Sequence, residues 1–247
     1  MAGDNDTEKL RRFFVEKINK PTTVLTGNEK KHLADVLRAK VGDKIILCPN
    51  DGKDYIFEIS AFDKNSITLY YEEEFVNPTE TNLFLTVFPA LLKGDKTELV
   101  VQKLTELGVK RISPFISEFT VQKSEKNDRL KRTAHEASKQ CGRAIIPEID
   151  DVMKFNDMIN KLADYDAVVF AYEDAFTNGN RITDVVKGNE RNVALIVGPE
   201  GGFSKKEVEE FINHGYKPVT LGKRILRADT ASISATAVIM QLCGEWS

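Results

Sequence analysis

The chain has 247 residues, of which 41% are hydrophobic, and a formal net charge of −3. That is enough apolar material for one large core or two smaller ones, and it excludes a chain whose overall charge alone would attract nucleic acid. Cys48, Cys141 and Cys243 are far apart, odd in number and without metal spacing, which points to a reducing, cytosolic setting and no structural zinc.

Residues 1–10 are polar and acidic, without the apolar stretch of a signal peptide, and read as a disordered leader. Residues 11–75 read as a small, partly closed β-barrel of short strands, Arg11–Val15, Lys44–Cys48, Tyr55–Ala61 and Ser66–Tyr71. Asn50-Asp51-Gly52 and Asp63-Lys64-Asn65 mark tight turns, and Leu33, Val36 and Leu37 predict a helix over Glu29–Ala39. Glu72-Glu73-Glu74 and Asn77-Pro78 suggest a linker, placed at 76–81.

From residue 82 to 247 strands and helices alternate. Strands are expected at Leu83–Pro89, Arg111–Ile116, Ala167–Tyr172, Val193–Val197 and Val219–Leu221. Helices are expected after Asp95 and Glu98, over Leu130–Cys141, after the Ser204–Glu207 capping box, and over Ala231–Leu242. Gly108, Gly142 and Gly215 are the expected helix stops. Continuously apolar strands at this spacing predict an α/β fold with a mostly parallel sheet covered on both faces. No run of about 18 apolar residues occurs, so no membrane span is expected.

Charge is unevenly placed. Between Val121 and Ile145, Lys123, Lys126, Arg129, Lys131, Arg132, Lys139 and Arg143 outweigh Glu125, Asp128 and Glu136. Such a face either holds phosphates or is simply solvated. His32, His135 and His214 are scattered and lack metal spacing.

The most informative stretch is Val193-Ala-Leu-Ile-Val-Gly-Pro-Glu-Gly-Gly-Phe-Ser204, followed by Leu221-Gly-Lys-Arg-Ile-Leu-Arg-Ala-Asp-Thr230. The first runs an apolar strand into Gly198, Glu200, Gly201 and Gly202. It has neither the ending of a P-loop nor the G-x-G-x-x-G spacing, which argues against a nucleoside triphosphate or a dinucleotide. Strand C-termini form the ligand crevice of open α/β sheets, and glycines there allow close backbone approach. Glu200 has three open roles: hydrogen-bonding a ligand, accepting a proton, or capping an amide. The small residues of Ala231–Ile239 suit either core packing or a subunit interface.

Together these segments resemble the small-subunit rRNA uridine-N3 methyltransferases, which belong to the knotted SPOUT superfamily. The resemblance rests on Lys93-Gly-Asp-Lys-Thr-Glu through Gly108, Pro114-Phe-Ile-Ser-Glu118, Glu136-Ala-Ser-Lys-Gln-Cys-Gly-Arg143 with Pro147-Glu-Ile, Gly198–Ser204, and Leu221–Arg227. His32–Arg38 with Val41-Gly-Asp43 is similar to the family's PUA-like domain. A departure lies at Arg227-Ala-Asp-Thr230, where the family carries Arg-Thr-Glu-Thr; Asp229 keeps the charge and shortens its reach.

The resemblance implies a deep C-terminal trefoil knot and S-adenosylmethionine held by three loops. The matching loops lie around Ala171–Glu173, Val197–Gly202 and Leu221–Thr230, and the residues expected to hold the cofactor are Ala171 and Tyr172; Val197, Gly198, Glu200, Gly201 and Gly202; and Leu221, Gly222, Ile225, Leu226, Arg227 and Thr230. It implies a homodimer that methylates N3 of one uridine in 16S rRNA of the assembled small subunit, with no metal and no membrane. For that reaction Arg143 is the expected stabiliser of the uracil anion and Glu200 the expected proton acceptor. Arg11, Arg12, Lys31, Arg38, Lys93 and Arg143 are the expected RNA contacts, with Lys30 and Lys40 beside them. The rival readings are a SPOUT enzyme acting on tRNA ribose 2′-oxygen and a catalytically silent ribosome-assembly factor.

Overall fold

In the computed structural model, which describes residues 10–173 and 179–246, the chain forms two units. One comprises the residues up to Glu80 together with Ser138–Ile146; the other comprises Thr81–Ala137 and the chain from Pro147 onward. Apart from Leu10, the expected leader lies outside the described residues.

The first unit is built on five strands: β1 (Arg11–Phe14), β2 (Thr22–Thr26), β3 (Lys44–Cys48), β4 (Lys53–Phe62) and β5 (Ser66–Val76). Their order is β1-β3-β4-β5-β2, with β1 parallel to β3 and the other pairs antiparallel. Register shifts between Ile56 and Phe57 and between Ile59 and Ala61 curl the sheet. Alternation explains its two faces. Ile45 and Leu47 enter a core with Phe13, Leu33, Phe57, Ile59, Ile67 and Leu69. Ile46 and Cys48 point the other way, where Ala144 covers them.

Three features of this unit depart from expectation. β2 was not anticipated; it buries Thr23 and Leu25 and leaves Val24 outside. The expected single helix is α1 (Gly27–Lys31) followed by a π-helical turn over His32–Val36. The wider turn is closed by the Leu37 amide donating to the His32 carbonyl at 3.0 Å. The acids Glu72–Glu74 belong to β5, not to a linker. Lys44 pairs with Glu72 at 2.6 Å, and both Lys20 and Lys53 reach Glu74.

The second unit carries β6 (Phe84–Pro89), β7 (Arg111–Ile112), β9 (Glu148–Ile149), β11 (Ala167–Ala171), β12 (Asn192–Val197) and β13 (Pro218–Val219) in one parallel sheet. Its order is β13-β11-β12-β6-β7-β9. The expected strand over Arg111–Ile116 is broken at Pro114, which has no N–H for a ladder. Its second half, β8 (Phe115–Ile116), leaves the sheet and pairs with β10 (Met153–Lys154).

Helices α2 (Lys96–Glu106), α3 (Asn127–Gln140), α4 (Phe155–Ile159), α5 (Ile182–Val185), α6 (Lys205–Asn213) and α7 (Ala228–Leu242) complete the chain. One sheet face is packed by an aromatic cluster: Phe170 stacks on Phe211 with centroids 3.9 Å apart, and Phe203 meets Phe170 edge-on at 5.2 Å. α7 packs against α2, β6 and β12. Its small buried residues Ala231, Ser232, Ala235 and Thr236 admit that close approach.

Parallel pairing sets Ala171 beside both Val197 and Val219. The three strands therefore end together, and their loops open on one edge of the sheet. From β13, the outermost strand, the chain returns through residues 220–227 to α7.

Candidate cofactor site

A cavity of about 360 Å³ lies at that edge, within the roughly 300–1,000 Å³ of small-molecule sites. Each strand contributes its last residue or the loop after it. β11 gives Ala171, Tyr172 and Glu173; β12 gives Val197, Gly198, Pro199, Glu200 and Gly202; the segment after β13 gives Thr220, Leu221, Gly222, Arg224, Ile225, Leu226 and Arg227. Ala228 and Ala231 of α7 and Lys96 of α2 close the lining. Of the positions expected here from the sequence, only Gly201 and Thr230 stand outside the lining.

Side chains are excluded at two of the lining glycines for steric reasons. A Cβ on Gly198 would sit 2.8 Å from the Phe203 ring. Gly202 has φ +69° and abuts the Glu173 carboxylate, whose Cδ would lie 3.1 Å from an added Cβ. Gly201 is likewise required for packing: its Cβ would come 2.9 Å from Phe119 Cβ. Beyond the loop, the Ser204 amide donates to Glu207 at 2.9 Å and the Glu118 amide donates to the same carboxylate at 2.9 Å. This fixes where the loop ends and α6 begins.

Glu200 takes the capping role. Its Oε1 accepts the Lys93 amide at 3.1 Å and lies 4.0 Å from Lys96 Nζ. Lys93 thus enters the site through its backbone, while its side chain is exposed. Lys96 lies outside the three loops expected to hold the cofactor, whereas Glu173 and Arg224 lie within them without a role of their own. Lys96 stands at the start of α2, and its proximity to Glu200 is created only by folding.

Two arginines expected on RNA are placed elsewhere. Arg12 turns inward onto Asp54, which also accepts the Asn77 side-chain amide at 2.9 Å. Arg143, 2% exposed, pairs with Glu80 at 3.1 Å. Glu80 also accepts the amides of Ala144 and Ile145 at 3.0 and 2.9 Å, and Asn50 accepts that of Ile146 at 2.7 Å. The Ser138–Ile146 segment is pinned by this network, and Arg143 is one of its pins. A guanidinium this buried offers no charge to an incoming base or phosphate. Arg11, Lys31 and Arg38 are exposed on the curled sheet and its helix. Among the described residues no cluster of His, Cys, Asp and Glu could hold a metal ion, and no helix is long and apolar enough to cross a membrane.

Comparison with known proteins identifies the architecture. The family model for an RNA methyltransferase domain matches residues 79–240, and that for an RNA methyltransferase PUA domain matches residues 25–69. The ribosomal RNA small subunit methyltransferase E of Bacillus subtilis is 31% identical over 247 residues, covering 93% of this chain and 96% of that one. The Aquifex aeolicus protein of the same name is 31% identical over 236 residues, with 92% and 98% covered. The crystal structure of the Neisseria gonorrhoeae enzyme of that name, bound to S-adenosylmethionine, superposes with TM-score 0.87 at 26% identity over 96% of this chain and all of that one. A putative methyltransferase from Legionella pneumophila, also with S-adenosylmethionine bound, gives TM-score 0.84 at 28% identity over 94% and 98%. A curled N-terminal PUA-like sheet, a parallel α/β domain and a glycine-walled cavity at its strand ends make one consistent whole: the chain belongs to the ribosomal RNA small subunit methyltransferase E family of RNA methyltransferases.

Proposed function

We propose that this chain transfers the methyl group of S-adenosylmethionine to N3 of a uridine in 16S rRNA within the assembled small ribosomal subunit. The observation that carries this reading is the cavity at the ends of β11, β12 and β13, walled by backbone at Gly198, Gly202 and Gly222. Those glycines fit a flat, hydrogen-bonding adenosine that must approach main chain closely. When bound there, the cofactor supplies an electrophilic methyl group.

The protein's own part is positioning and charge. Uracil N3 carries a proton, so the base must lose it and be held as an anion in line with the methyl group. With Arg143 sequestered, the cations that can face the acceptor are those of the cavity rim: Lys96, Arg224 and Arg227. Lys96 is held near Glu200, whereas Arg224 and Arg227 stand exposed. Glu200 keeps Oε2 for the N3 proton while Oε1 is capped by Lys93. Arg11, Lys31 and Arg38 would hold RNA phosphates, and two copies of the chain would form the active dimer.

The test is methyl transfer from labelled cofactor to small subunits lacking the modification, with the nucleoside identified by mass spectrometry. N3-methyluridine is the expected product. Label on a ribose 2′-oxygen or on another base would overturn the acceptor assignment, and absence of transfer despite tight subunit binding would overturn the enzymatic reading. Light scattering of the pure protein, expected at twice the monomer mass, checks the dimer.

A further inference from the structure

Two carboxylates line the cavity, and their surroundings differ. Glu200 is partnered at one oxygen: Oε1 accepts the Lys93 amide at 3.1 Å, and Lys96 Nζ is 4.0 Å away. Glu173 has neither a hydrogen bond nor an ion pair to any described residue. Its carboxylate is pressed against the Cα of Gly202, where an added Cβ would lie 3.1 Å from Cδ and 3.4 Å from Oε2. It stands two residues past the end of β11, where the parallel strands deliver their loops. Among the described residues Glu173 is thus the cavity carboxylate without a partner, fixed beside a glycine that leaves it room.

In a site for a neutral adenosine such a carboxylate could serve only as a hydrogen-bond acceptor for the ribose hydroxyls. S-adenosylmethionine has two cationic groups, the sulfonium and the α-ammonium. We propose that Glu173 recognises the cationic portion of the methyl donor, so that its charge favours the donor over neutral adenosine compounds. This rests on the reading of the cavity as the S-adenosylmethionine site. A carboxylate facing a cation in a partly enclosed site gains from both charge and hydrogen bonding, whereas a carboxylate binding ribose hydroxyls would treat every adenosine alike.

The experiment is isothermal titration of the full chain and of Glu173→Gln with three compounds. S-adenosylmethionine has both cations, S-adenosylhomocysteine only the ammonium, and 5′-methylthioadenosine neither. Glu173→Gln is isosteric at an exposed position, and an unchanged melting temperature confirms that it folds. In the variant, S-adenosylmethionine is expected to bind roughly tenfold to a hundredfold more weakly, the range for a lost charge-assisted contact, with 5′-methylthioadenosine unchanged. An equal loss for S-adenosylhomocysteine assigns the contact to the ammonium; no loss for it assigns the contact to the sulfonium. Equal weakening of all three compounds, or of none, overturns the proposal. Failure of the unsubstituted chain to bind S-adenosylmethionine at all would instead overturn the reading of the cavity.

Discussion

Arg143 is where chemical expectation and structure diverge, and its substitution separates the two. If Arg143 stabilised the acceptor, Arg143→Met would abolish methyl transfer and leave the fold intact. The structure predicts the reverse emphasis. The Arg143 side chain is 2% exposed and that of Glu80 9%. Severing such a pair costs about 3–5 kcal/mol when the remaining charge is left bare. Glu80 would not be wholly bare after Arg143→Met, because the Ala144 and Ile145 amides still donate to it at 3.0 and 2.9 Å. The expected loss is therefore about 2–3 kcal/mol, below that range. Glu80→Ala removes one acceptor from the guanidinium and from both amides together, so it should cost more than Arg143→Met, within that range of about 3–5 kcal/mol. Glu80→Gln combined with Arg143→Met keeps an acceptor for the amides and buries no charge, and should recover most of the loss, to within about 1 kcal/mol of the parent. Urea denaturation of the four proteins measures all of this, with methyl transfer followed in parallel. The reasoning is refuted if Arg143→Met unfolds like the parent, within about 0.5 kcal/mol, yet transfers no methyl group at saturating cofactor and subunit.

Further expectations follow from the same geometry. Gly202→Ala must place a Cβ against the Glu173 carboxylate at φ +69°, so calorimetry should show cofactor affinity falling; Gly222→Ala, at φ +109° with nothing within 4 Å, should cost only strain of about 1–3 kcal/mol. Burial pushes the Cys48 thiol up from 9.0 to about 12. The folded state therefore keeps a proton that the unfolded chain loses from about pH 9, and this contribution to stability, complete below that pH, should fade up to about 12; a Cys48→Ala chain with the same alkaline slope in its melting temperature would contradict it. Hydrogen bonds from Lys20 and then Lys53 hold the Glu74 carboxyl down to about 2, from 4.5. Its contribution is present above pH 4.5 and lost as pH falls toward 2, so Glu74→Gln should flatten the acid limb of a pH-dependent melt. Binding to small subunits should weaken steeply with salt if Arg11, Lys31 and Arg38 hold phosphates, and a flat profile would remove that footprint.

What could be read in advance was set by local chemistry. Ala167–Ala171 and Val193–Val197 are continuously apolar because both faces of a parallel sheet are covered, and each runs directly into a loop residue of the cavity. Glycines mark the walls because side chains are excluded there for identifiable reasons, Phe203 at Gly198 and Glu173 at Gly202. Short segments were less legible. Thr22–Thr26 alternates in burial but not in polarity, with Thr23 buried and Val24 exposed, and Glu72–Glu74 imitate a linker because the lysines that pair with Glu72 and Glu74 lie outside β5, at Lys20, Lys44 and Lys53.

Charged side chains were the least legible of all, because their meaning depends on partners that sequence leaves distant. Arg143 sits in a basic run that reads as an RNA face, yet its partner Glu80 is 63 positions away. Arg12 opens a basic N-terminal segment, yet its partner Asp54 lies 42 positions on. Glu200 and Lys93, 107 apart, meet only because β6 and β12 are neighbours in the sheet. The same pairing logic selects the groups left for the ligand. Once Arg12, Arg143 and Glu200 have found partners within the chain, Glu173, Arg224 and Arg227 are the charges around the cavity that no described residue answers. A donor carrying both a cation and a carboxylate, together with a polyanionic acceptor, is the combination that would satisfy them.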